Sequence, residues 1–200
     1  MARELQTERG RVVVRQARED DLEGLRELRL EALQRHPEAF SMDYETDLNR
    51  PLAEWAERLK RNADPQGDVP LFLAERQPAA GQPAGLVGMT GVGRGGSTKT
   101  RHSGTIWGVY VRPEWRGQGV SRLLILTCLD WARAHGLRIL TLGVTATNIP
   151  AIRLYLSCGF SVFGIEPLAM VTGGSEYDEL WMSRRVDGPE APAGDRSGIG

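Results

Sequence analysis

The stretch Val109-Tyr110-Val111-Arg112-Pro113-Glu114-Trp115-Arg116-Gly117-Gln118-Gly119-Val120-Ser121-Arg122 reads as strand, glycine turn and helix start in fourteen residues. Its first three residues suit a pleated strand. From Gly119 to His135 runs the best helix of the chain, with Leu123, Leu124, Leu126, Leu129 and Trp131 giving apolar surface on more than one face. Gly136 is a natural stop for it. A glycine turn placed here can present consecutive backbone N–H groups to an anion, and the helix start behind it adds unpaired N–H groups and the positive end of the dipole. Arg116 and Arg122 add fixed charge suited to a pyrophosphate. The plainer alternative is a tight turn that needs glycine only for its backbone angles.

Working outward, Val12–Val14 reads as a buried strand, and Asp20 and Asp21 supply an N-cap and negative first turn to an amphipathic helix over about 21–35. Residues 36–50 read as loop. Pro51 can sit in the first turn of a second helix whose apolar face is Leu52, Trp55, Ala56 and Leu59. Strands are expected at Leu71–Ala74, Leu86–Thr90, Thr105–Val111, Ile139–Thr145, Phe160–Gly164 and Glu179–Val186, with a short helix over Pro150–Ser157. That order predicts a mixed α/β sandwich rather than a doubly wound all-parallel sheet.

A second glycine cluster, Gly91-Val92-Gly93-Arg94-Gly95-Gly96, formally matches GxGxxG. Dinucleotide binding needs a helix start directly behind it, whereas Ser97 to Gly104 is polar and aperiodic. The cluster is therefore expected to be a flexible hairpin loop over Gly91–Gly104, and a nucleotide-binding protein built on it is a poor reading.

The quoted stretch, with Arg116, Gly119 and Ser121 at the fixed positions of [Q/R]-x-x-G-x-[G/A], resembles the acetyl-CoA motif of the GNAT superfamily of N-acetyltransferases. Ser121 departs from Gly/Ala but is still small. A second motif, Asn148, Ala151, Leu154, Tyr155, Gly159 and Phe160, looks like that family's N-x-x-A-x-x-L-Y-x-x-x-G-F, in the expected order along the chain. The resemblance implies the α/β acyl-CoA N-acyltransferase (GNAT-like) fold, with a mixed, mostly antiparallel central sheet flanked by helices, and acetyl transfer from acetyl-CoA, as co-substrate, to an amine by direct attack in a ternary complex. It implies a cofactor site of Val109, Tyr110, Val111, Arg116, Gly117, Gln118, Gly119, Val120, Ser121, Arg122, Asn148, Ala151 and Tyr155. A backbone amide near Val109, at a bulge or splay, is the implied oxyanion donor. Tyr155 is the implied general acid for the leaving thiolate; packing beside Phe160 is its plain alternative. Asn148 either bonds the pantetheine or caps a helix. The general base stays open, with His102, Ser103 and Glu45 as candidates. Asp43, Glu45 and Asp47 at one edge, and Glu176, Asp178 and Glu179 at the other, would attract a cationic amine or be solvated loops, with Tyr44 and Tyr177 lining the pocket or merely half buried. The family habit implies a possible homodimer. A non-catalytic acyl-CoA-binding module is the alternative function.

The remaining composition excludes other classes. Lys+Arg is 25 and Asp+Glu 26, so no strong field draws the chain to nucleic acid or an anionic membrane. Three histidines and two cysteines, Cys128 and Cys158, leave little for a metal site, and none is expected. The N-terminus lacks an apolar signal core, no apolar run approaches a membrane span, and the expected compartment is the cytoplasm. Residues 1–10 are expected to be a flexible N-terminus, 11–186 one GNAT-like domain and 187–200 a disordered tail. Glycine, at 24 of 200 residues, exceeds the average usage of roughly 7 %, and its chemically placed members are Gly117 and Gly119.

Overall fold

Eight strands form one sheet in the order β1-β2-β3-β4-β5-β6-β8-β7, in a computed structural model that describes residues 3–79 and 84–188. The strands are β1 (Arg3–Thr7), β2 (Gly10–Gln16), β3 (Leu71–Arg76), β4 (Gly85–Arg94), β5 (Ser103–Val111), β6 (Ile139–Thr145), β7 (Ser161–Thr172) and β8 (Ser175–Arg185). Among these strands only β5 and β6 pair in parallel; the other neighbours are antiparallel, the mixed, mostly antiparallel sheet that the resemblance implies. The helices are α1 (Leu22–Arg35), α2 (Tyr44–Leu48), α3 (Leu52–Ala63), α4 (Val120–Ala134) and α5 (Ile149–Ser157).

The sheet divides two cores. On one face, α4 buries Leu124, Ile125, Cys128 and Leu129 against Val12, Val14, Ile106, Leu140 and Leu142, and Tyr155 of α5 joins them. On the other, Leu25, Leu28 and Ala32 of α1 and Leu59 of α3 pack on Leu73, Met89 and Tyr110. The breadth of apolar surface on α4 is explained by this burial.

Several expectations are corrected. The flexible N-terminus is in part strand β1, whose pattern of one apolar residue, Leu5, among polar ones hides it. β1 turns back through Gly10 at φ +116°, and Arg3 Nε reaches Asp130 Oδ2 of α4 at 2.6 Å. The 36–50 loop contains α2, capped by Asp43, which accepts from the Thr46 N–H at 2.8 Å. Asp21 precedes α1 without capping it by a side-chain bond; Arg15 holds its carboxylate at 2.7 Å on both oxygens, which keeps its pKa low even though burial opposes this. Gly91–Arg94 continues β4 rather than opening a loop. There glycine makes room: a Cβ on Gly91 would lie 2.2 Å from the ring of Trp107 on β5. Both last strands are also longer than expected, closing over Gly173 and Gly174 at positive φ. Residues 189–200 of the expected tail lie outside the described residues, whereas Asp187 pairs with Arg138 and Arg185.

Asp47 ties α2 to α1 and to the turn before α3. Its carboxylate, 3 % exposed, meets Arg29 Nε at 3.1 Å and Arg50 Nη2 at 2.8 Å. Removing one partner of a buried ion pair strands the other charge at a cost of about 3–5 kcal/mol. Asp47→Ala is expected to lose stability of that order in chemical denaturation, and a loss below about 1 kcal/mol would show the network to be solvated.

Candidate active site

β5 and β6 pair only through Ser103↔Ile139, Gly104↔Leu140 and Thr105↔Thr141. Beyond that they part, and the gap opens into a cleft of about 640 Å³ walled by the second halves of both strands, the start of α4 and α5. Within the same half of β5, the register against β4 slips. Between Gly91↔Trp107 and Met89↔Tyr110, β4 has one residue, Thr90, while β5 has two, Gly108 and Val109. This is a β-bulge, with Gly108 at φ +65°. A bulge leaves a backbone group without its ladder partner, at the place where the resemblance implies an oxyanion donor.

Val109, Tyr110 and Val111 form the β5 wall. The Tyr110 side chain turns away to the α1 face, where its hydroxyl donates to Glu31 Oε1 at 3.0 Å, and burial raises its pKa to about 12. One end of the cleft is the turn of Arg116, Gly117 and Gly119 with Val120, Ser121 and Arg122 behind it. Gly117 and Gly119 sit at φ +73° and +87°, a region costly for other L-residues. Among the described residues, no hydrogen bond accepts from the backbone N–H groups of residues 117–122, which leaves them open to a ligand. Arg116 is partly committed, since its Nε donates to the Val111 carbonyl at 2.9 Å. Arg122 donates to the Ser157 carbonyl at 3.0 Å, joining α4 to the end of α5. Gln118 is the exception: it does not line the cleft, and its amide donates to the Glu114 carbonyl at 3.1 Å.

The far wall carries Asn148, Ala151 and Tyr155. Asn148 Oδ1 accepts from the Ala151 N–H at 3.3 Å and so caps α5. Tyr155 is buried, edge-on to Phe160 at 6.2 Å, so packing and cleft lining are both true of it. Burial pushes its phenol pKa well above the ordinary value. It is therefore protonated at neutral pH, able to donate.

The open question of the base takes a different form in the structure. His102 and Ser103 lie in the β4–β5 hairpin, and Glu45 is exposed on α2; none of them lines the cleft. His36 does, but its Nε2 accepts from Arg116 Nη2 at 2.8 Å, and its Nδ1 faces Glu38 at 3.3 Å. Glu179 stands opposite Thr145 across β8 and β6. They share a face of the sheet, and Thr145 Oγ1 donates to the Glu38 carbonyl there at 2.6 Å. The Glu179 carboxyl hangs over the cleft residue Gly143, where a Cβ would meet its oxygens at 2.6 Å. Partial burial, and then the charge of Glu166 directly across β7, raise its pKa above the usual carboxylate range.

The two acidic clusters do not behave alike. Asp43 is a cap and Asp47 is engaged by arginines, while Glu45 is exposed. Asp178 accepts from the Leu168 N–H at 2.9 Å and Glu176 is exposed. Neither Tyr44 nor Tyr177 lines the cleft. Of the second cluster, Glu179 alone lies against a cleft residue, Gly143, although it does not itself line the cleft; its spacing carries no signal that separates it from its neighbours.

The family model described as "Acetyltransferase (GNAT) family" matches residues 23–160, and the chain belongs to that family. It is similar to the mycothiol acetyltransferase of Acidothermus cellulolyticus, 35 % identical over an alignment of 143 positions that covers 66 % of this chain and 39 % of the relative. It is also similar to the L-methionine sulfoximine/L-methionine sulfone acetyltransferase of Salmonella typhimurium, 34 % identical over 84 residues, 42 % of this chain and 49 % of the relative. The matches thus span less than half the length of these curated relatives. Among solved structures, the ribosomal-protein-alanine N-acetyltransferase from Brucella melitensis superposes with a TM-score of 0.69 at 29 % identity, covering 86 % of this chain and 98 % of that one. A GNAT-family acetyltransferase from Streptococcus pneumoniae shares the fold with a TM-score of 0.73 at 22 % identity, over 87 % and 99 % of the two chains. Among the described residues, no helix is long and apolar enough to cross a membrane.

Proposed function

We propose that this protein transfers the acetyl group of acetyl-CoA to a primary amine held in the same cleft. The observation that carries the reading is the joint geometry of one opening: free N–H groups at the glycine turn, a bulge in its middle and Tyr155 in its wall, with Glu179 beside the cleft residue Gly143. Family membership and the acetyltransferase relatives support it.

In this reading the N–H groups of residues 117–122, with Arg116 and Arg122, hold the pyrophosphate, and the free edge of Val109–Val111 bonds the pantetheine. A bulge N–H at Gly108 or Val109 stabilises the negative charge that develops on the thioester oxygen. The amine nitrogen attacks the carbonyl carbon from the α1 face. The C–S bond breaks, and the sulfur takes the Tyr155 hydroxyl proton on the α5 face. The proton lost by the nitrogen goes to Glu179. A positioned acid or base contributes roughly 10²–10⁴-fold to rate.

Three variants test these roles. Gly119→Asp puts a side chain at positive φ and a negative charge against the pyrophosphate; acetyl-CoA affinity by calorimetry is expected to fall sharply, and unchanged affinity would take the cofactor away from this turn. Tyr155→Phe is expected to lower kcat by about 10²-fold or more with little change in acetyl-CoA affinity; equal losses in both would mean packing alone. For Glu179, the carboxylate is the active base, and its raised pKa places the acidic limb of the kcat/KM profile above the usual carboxylate range, with rate rising as pH rises through it. Glu179→Gln is expected to lower kcat/KM and erase that limb, while a limb that survives assigns the proton to another group.

A further inference from the structure

A second cavity, of about 230 Å³, lies under α1 and α3 and shares Trp107 and Gly108 with the cleft. The bulge is therefore the common wall of two spaces. What distinguishes the second is its charge. Arg29, Arg58 and Arg61 line it against a single carboxylate, Asp47. Asp47 is already engaged by Arg29 Nε and by Arg50, and Arg58 stands 4.0 Å from it. Among the described residues, the two terminal nitrogens of Arg29 make no hydrogen bond. Arg29 is also largely buried, which pulls its pKa down from the usual value despite Asp47. A guanidinium fork that is fixed at Nε, stacked 4.9 Å over Phe40 and open at its outer nitrogens is a ready receptor for a planar oxyanion.

We infer that this cavity is the acceptor's anion subsite, in which Arg29 and Arg58 bind the carboxylate of a small amino acid whose amine reaches the bulge at Gly108. The inference rests on the acetyl-transfer reading and names its substrate class. The size of the cavity favours a short amino carboxylate over a polyamine or aminoglycoside, and the surplus of cations repels polycations.

The test compares free L-amino acids with their C-terminal amides, which keep the amine and lose the charge, in a thiol-release assay with acetyl-CoA. Binding of acetyl-CoA alone is measured in parallel by calorimetry. The acids are expected to exceed their amides at least ten-fold in kcat/KM. Arg58→Gln, chosen because this side chain is half-exposed and holds no helix in place, is expected to raise KM for the acid and shrink the acid-to-amide ratio, and Arg58→Lys to restore part of it. Equal rates for acids and amides, a preference for amides or polyamines, or no turnover of either set by a chain that binds acetyl-CoA would overturn the subsite. Failure to bind acetyl-CoA would overturn the acetyl-transfer reading as well.

Discussion

In a buried sheet, nearly every backbone N–H and C=O finds a partner on the neighbouring strand. β5 and β6 give this up after three positions, and the arrangement of the rest of the protein follows from that separation. The parted edge needs groups to satisfy it and walls to hold it open. Arg116 reaches back to the Val111 carbonyl. α4 starts at the end of the opening and packs Leu124 and Ile125 under the sheet, while α5 closes the other side. The tight pairing of β6 with β8, seven positions long, keeps β6 in place although its other neighbour has left it.

The charges are then sorted along one face of the sheet. Glu179 hangs at the β6–β8 side over a glycine that leaves space for it. The arginines gather around Asp47 on the α1–α3 side. The net charge of −1 conceals this separation, since it sums two local fields of opposite sign. An ammonium and a carboxylate on one small molecule would each find the favourable side of that divide.

Much of the architecture was legible because it is written in apolar periodicity and glycine placement. α4, β6 and the glycine turn carry those signals strongly, and the two family motifs marked both walls of the cleft. β1 was invisible because an edge strand with one apolar residue has no period to read, and α2 because a five-residue helix owes more to the Asp43 cap than to its pattern. The Gly91 cluster misled for a steric reason: its first glycine answers to the ring of Trp107, a neighbour sixteen positions away in sequence. Glu179 and the arginine surplus depend on which strands and helices become neighbours, which no local pattern states.

The bulge also sets a phase. Ile106 and Val111 both face α4 although they stand five positions apart, and Tyr110 faces α1; with strict alternation Tyr110 and Val111 would exchange sides. Gly108 and Val109 therefore act as a frame shift in the strand. Substitutions along β5 change one contact each, but the loss of a single residue there would invert every side chain downstream. The strand can tolerate spelling changes more readily than a change of length, and a shortened β5 would bring the phenol of Tyr110 into the α4 core and drive Val111 toward α1.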